Sequence, residues 1–166
     1  MTRLELIQRA ESVVAKGCHY KLGAGGRLWH HATPWDPDHL CDCSGFIAWC
    51  YGVDRHTDDP WYRDFNNGWL ETSAIVRDCG TPFGIFTEVA WAQALPGDSL
   101  VYGDRDGHQG HIGLVVEVSE AGPTGVIHCS VGNERRTGDA IGRTNADLWI
   151  AQGGIVARSK WVEGPA

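Results

Sequence analysis

The sequence predicts an α+β fold in which helices come first and an antiparallel β-sheet second. Three observations predict it. Residues 3–16 and 43–51 space their apolar side chains as helices do. From Asp98 onward the pattern changes to period two and to β-branched residues. Gly97, Gly107, Gly110, Gly122, Pro123 and Gly125 separate these later runs so tightly that antiparallel pairing is favoured over long crossovers. The 166 residues suit a single domain, 1–166, with one core.

In "RLELIQRAESVVAK", Leu4, Ile7, Ala10, Val13 and Val14 fall on one helical face, with Thr2 to cap the start and Gly17 the end. "GCHYKLGAGGR" reads as a glycine-rich turn and "LWHHATPWDPDH" as a polar, aromatic loop. "CSGFIAWCY" follows as a second helix that buries Phe46, Ile47, Trp49 and Cys50, with Asp42 and Cys43 at its N-terminus. "DRHTDDPWYRDFNNGWLE" reads as loop, and "TSAIVRDCG" and "FTEVAWAQAL" as short helices. "DSLVYGD", "HIGLVVEVS", "TGVIHCSVG" and "GGIVARS" supply the strands.

Net charge is −7 and no basic stripe exists, so nucleic acid is not expected as a partner. No apolar run is long enough to span a membrane. Glu5 and Glu11 interrupt the N-terminal apolar stretch, so it does not read as a signal peptide. Eight tryptophans and 22 glycines suggest many turns and an aromatic-lined cleft. A monomer is the default for a domain of this size.

The densest chemistry lies in "LCDCSGFIAWCYG", which holds three of the six cysteines. As metal ligands, Cys41 and Cys43 form C-x-C, not the C-x₂₋₄-C knuckle that structural zinc prefers, and no second pair exists. As disulfide partners they are too close, and six cysteines are sparse for a disulfide scaffold. As a nucleophile, Cys43 would open a helix whose unpaired N–H groups and dipole favour a thiolate. A nucleophile needs a base. His111 begins one strand and His128 lies in the next, so antiparallel pairing can join them as base and orienting group. Cys18, Cys50, Cys79 and Cys129 read as small buried hydrophobes.

In the order "GCHYKLGAGG", "CDCSGFIAWCYG", "LPGDSLVYGD", "GHIGLVVEV" and "VIHCS", residues 3–132 resemble the NlpC/P60 cysteine peptidases. The resemblance implies a papain-like core, with N-terminal helices packed on the sheet. It implies Cys43 as nucleophile, His111 as general base and His128 as third polar residue. The substrate it implies is the peptidoglycan stem peptide, cleaved at an amide bond without metal or other cofactor. Tyr20 would donate to the oxyanion, and Asp42 and Ser44 would help hold a substrate amine. The turn "YKLGAGG" is longer than the family's, and two insertions stand out. Arg27–Leu40 carries Trp29 and Trp35, and Asp54–Gly80 carries Trp61, Tyr62 and Trp69; both are expected to wall the cleft, with Trp29 in contact with substrate.

A catalytic module without a wall-binding domain fits a phage lysin, a tail peptidase or an effector exported through cell contact. Synthesis in the cytoplasm would precede action on the wall after export, injection or lysis, and an immunity or phage partner is not named by the sequence. A cysteine acyltransferase or lipid-active hydrolase would use the same thiolate, though its relatives place histidine before cysteine. A silent module that grips wall peptides is the non-enzymatic alternative.

Overall fold

The β-branched runs after Ser99 carry apolar residues on both sides of the chain, so they need a cover on each face. In the computed structural model, which describes residues 1–27, 29–35 and 38–163, they form the central sheet. The chain runs α1 (Arg3–Ser12), β1 (His19–Tyr20), β2 (Leu40–Cys41), α2 (Cys43–Cys50), α3 (Pro60–Asn66), α4 (Thr72–Cys79) and β3 (Phe86–Val89). A 3-10 turn (Trp91–Gln93) leads to β4 (Ser99–Tyr102), β5 (His111–Ser119), β6 (Gly122–Cys129), α5 (Val131–Thr137), β7 (Ile141–Thr144), α6 (Asp147–Ala151) and β8 (Ile155–Ser159).

The architecture is α+β. Six strands pair antiparallel throughout, in the order β3-β8-β4-β5-β6-β7. β1 and β2 form a separate parallel pair that sets Tyr20 beside Cys41. On one face of the sheet Ile112, Leu114 and Val116 of β5 join the core of α1, α2 and α4. On the other, Leu100, Val115, Val126 and Val156 pack with Trp149 of α6.

All eight residues of α2 are buried, not one face of it. Full burial of Phe46, Ile47 and Trp49 contributes roughly 1.5–3 kcal/mol each. Such a helix needs its N-terminal donors satisfied internally. Asp42 does so, accepting the Gly45 N–H at 2.8 Å. The glycine-rich turn lies directly against this first helical turn. A Cβ on Gly26 would stand 2.4 Å from the Gly45 carbonyl oxygen, and one on Gly45 would stand 2.6 Å from that of Ala24. Only glycine permits this approach.

Asp98, of the "PGD" run, ties distant segments together. It accepts Arg3 Nη1 of α1 at 2.9 Å, Arg158 Nη2 of β8 at 2.8 Å and the Leu95 N–H at 2.9 Å.

Several expectations are corrected. In α1 the buried residues are Leu6 and Ala10, continued by Val13 just past its end, while Leu4 is 64% exposed. The run offers Leu4, Leu6 and Ile7 as rival apolar positions, and docking on the sheet chooses among them. Thr2 caps α1 in a capping box with Glu5, but the helix ends at Ser12, before Gly17. Residues 60–66 form a helix within the presumed loop, capped by Asp59 with Pro60 in its first turn. "FTEVAWAQAL" is no helix: Phe86–Val89 pair with β8, and a 3-10 turn follows. Strand pairing overrides the helical pattern there. Leu28, Asp36 and Pro37 of the aromatic loop lie outside the described residues. Cys18, Cys50 and Cys129 are buried, Cys79 half-buried, and all six cysteines are free thiols.

Candidate active site

Cys43 is the first residue of α2 and only 4% exposed. The backbone N–H of Ile112 donates to its thiol, so the sulfur sits against the backbone that follows His111. β5 and β6 pair with Leu114 opposite Ile127, which brings His111 and His128 together across the ladder. Their rings meet with His111 Nε2 2.7 Å from His128 Nδ1. Trp149 forms the floor beneath both, stacked on His111 at 5.4 Å and edge-on to His128 at 5.1 Å.

The shorter Thr144 contact selects one arrangement of protons on the pair, against a longer approach of Asn133 Nδ2 to His128 Nε2 at 3.5 Å. Thr144 Oγ1 donates to the Asn145 carbonyl at 3.1 Å and lies 3.0 Å from His128 Nε2. With its own proton committed, that oxygen accepts from His128 Nε2–H. Neutral His128 then offers a bare Nδ1, which accepts from His111 Nε2–H. Neutral His111 is left with a bare Nδ1, the atom a base uses to take a proton.

Burial governs the charge states. It pushes the Cys43 thiol up to about 12, and the Asp42 carboxylate adds to the rise. Burial pulls His111 down to about 4 against the pull of Asp42. It pulls His128 down to about 3, helped by His111 and then Arg136. The resting site therefore holds a thiol and two neutral imidazoles. Desolvation and the capping carboxylate both work against the thiolate that a helix N-terminus favours.

A pocket of about 530 Å³ opens over the histidine pair, between Tyr20, Tyr102, Gln109, Ser130, Asn133 and Arg136. Tyr20, opposite Cys41 in the parallel pair, lines the pocket; burial raises its phenol, and a thiolate at Cys43 would raise it further. Tyr102, paired with His111 across β4 and β5, responds the same way.

Asp42 and Ser44 do not reach this pocket. Asp42 is fully buried; its oxygens hold the Gly23 and Gly45 N–H groups and Arg55 Nη2 at 2.7, 2.8 and 2.6 Å. Ser44 donates to Asp42 and receives Arg55 Nη2 at 2.9 Å. Their polar atoms are spent on shaping the start of α2, which leaves none for a substrate amine. Trp29 is also misplaced by the sequence reading. Its carbonyl accepts from Arg9, and its ring lies beside Gly52, past the far end of α2. An eight-residue helix puts about 12 Å between that end and Cys43.

The second insertion does not wall the pocket either. Trp61 packs on Tyr62 and Phe65, and Trp69 lies under Arg55 and beside His56. No family model matches the chain, and no curated protein does.

Sequence reasoning missed Arg55, Tyr102, Asn133, Thr144 and Trp149. Asn133 is 1% exposed and donates to the His128 carbonyl at 2.9 Å. A signal for its helix was legible: Ser130 followed by Gly138, which cap α5 at its two ends. Nothing local marks Thr144 or Trp149, which act only through contacts made by folding. Among the described residues no cluster of three or more His, Cys, Asp or Glu side chains could hold a metal ion. No helix among them is long and apolar enough to cross a membrane.

Proposed function

We propose that the chain is a cysteine peptidase or amidase with a papain-like core of the NlpC/P60 type, hydrolysing amide bonds in peptidoglycan stem peptides. The observation that carries this reading is the chain of contacts from Thr144 through His128 to His111, on the strand whose Ile112 backbone N–H donates to the Cys43 thiol. A thiol, a base and a group that orients the base are the elements of nucleophilic acyl transfer.

In the mechanism, substrate binding excludes water and His111 Nδ1 takes the Cys43 proton as sulfur attacks the amide carbon. Starting from neutral partners, proton transfer accompanies attack. The Cys43 N–H and the Tyr20 hydroxyl face the oxyanion; one such donor is worth on the order of 10²–10³ in rate. His111 hands the proton to the leaving amine, which departs with the C–N bond broken. Water, deprotonated by the same nitrogen, then hydrolyses the thioester and frees Cys43.

The test is digestion of purified peptidoglycan by wild type beside Cys43→Ala, read by mass spectrometry. New fragments from wild type alone support the reading, and their masses name the bond. Fragments from both proteins would remove Cys43 as nucleophile. No fragments across several wall types would remove the wall peptide as substrate.

A further inference from the structure

The charge of the pocket is opposite to that of the chain. The protein carries 21 acidic residues against 14 Lys and Arg, yet none of the described residues lining this pocket is Asp or Glu. Its one permanent cation is Arg136 of α5. Four of the eleven arginines, Arg3, Arg55, Arg143 and Arg158, meet carboxylates at 2.6–2.9 Å. Arg136 has no such partner among the described residues.

Arg136 is exposed, but one end of its guanidinium is anchored. Its Nη2 donates to Asn133 Oδ1 at 2.7 Å, and Asn133 in turn is pinned to the His128 carbonyl. The guanidinium is thus held in register with the histidine pair, with donors to spare. It is close enough that its charge helps keep His128 neutral. A planar, preorganised fork with free N–H groups fits a carboxylate in two-point contact, which an ammonium cannot match.

We propose that Arg136 is a specificity-determining residue that grips a free carboxylate of the peptide, so that acidic peptides are bound in preference to their amidated forms. This rests on the wall-peptide reading above and adds the group that is recognised. Two carboxyls of a stem peptide have the right chemistry: the α-carboxyl of a γ-linked glutamyl residue, and the C-terminal carboxyl. Both are absent when the group is amidated.

The test uses Cys43→Ala, which binds without turning over, and L-alanyl-γ-D-glutamyl-L-lysyl-D-alanine in three forms: free acid, glutamyl α-amide and C-terminal amide. Calorimetry gives each affinity in the Cys43→Ala background and with Arg136→Gln or Arg136→Lys added. One charge-assisted contact predicts about 10–100-fold tighter binding of the free acid than of one of the two amides. Arg136→Gln erases that gap, and Arg136→Lys keeps part of it. A merely structural role would weaken all three peptides alike and leave their ratio unmoved. Equal binding of acid and amides, or a gap that survives Arg136→Gln, overturns the proposal while the wall-peptide reading stands. No binding of any form overturns both.

Discussion

Replacing Arg55 with methionine tests the least visible part of the site. Arg55 is 4% exposed and Asp42 wholly buried, with Arg55 Nη2 2.6 Å from Asp42 Oδ2. The same guanidinium reaches Ser44 Oγ at 2.9 Å and the Ala24 carbonyl at 2.8 Å. Methionine fills much of the volume but strands the Asp42 charge, and breaking a buried pair from one side costs about 3–5 kcal/mol. In a domain of this size each kcal/mol shifts the midpoint by about 2–4 °C, so thermal unfolding should move down by roughly 6–20 °C. Urea unfolding at pH 7 of wild type, Arg55→Met, Asp42→Asn and the double variant completes a cycle. The double variant should be less destabilised than the sum of the singles, because each single leaves a buried group without its partner. A loss below about 1 kcal/mol for Arg55→Met, or single losses that add within about 0.5 kcal/mol, would refute the reasoning.

Three further outcomes are expected. Burial holds His111 at about 4 and His128 at about 3, below the ordinary imidazole value, so below pH 6.5 the unfolded chain binds protons that the folded chain does not. The sign follows: this stability is complete above pH 6.5 and is lost as pH falls through about 4, with His111 alone contributing on the order of 3 kcal/mol. Urea midpoints at pH 7 and 4.5 should fall less with acid in His111→Gln than in wild type; equal slopes would count against the buried neutral pair. Gly45→Ala should cost about 1–3 kcal/mol, since its Cβ would meet the Ala24 carbonyl at 2.6 Å. Gly132→Ala, whose nearest neighbour is at 3.7 Å, should be neutral or mildly stabilising by thermal unfolding.

What could be read from sequence was whatever repeats along the chain or caps a local element. Period-two runs gave β5 as 111–119, the same span the structure has, and Asp42 ahead of an apolar run gave the start of α2. The strand-to-strand nearness of His111 and His128 was also legible, because short connections between adjacent strands leave few other pairings. The helix over 60–66 was written in the Asp59–Pro60 start, and the reading passed over it among the surrounding polar residues.

Tertiary structure alone decided the rest. The sequence carries a −7 charge, but not where the chain withholds acid, and folding leaves no carboxylate among the described residues of the pocket wall around Arg136. Trp29, with its polar aromatic neighbours, looked like a cleft residue; docking of its loop on Arg9 and Gly52 carries it to the wrong end of α2. Thr144, a single hydroxyl on a strand with no motif, meets His128 Nε2 through a contact between residues 16 positions apart. Local pattern determines which elements form, because capping and periodicity act over a few residues. Charge state, tautomer and pocket lining depend on what each group meets after collapse, and burial opposes the thiolate that helix geometry alone would favour at Cys43.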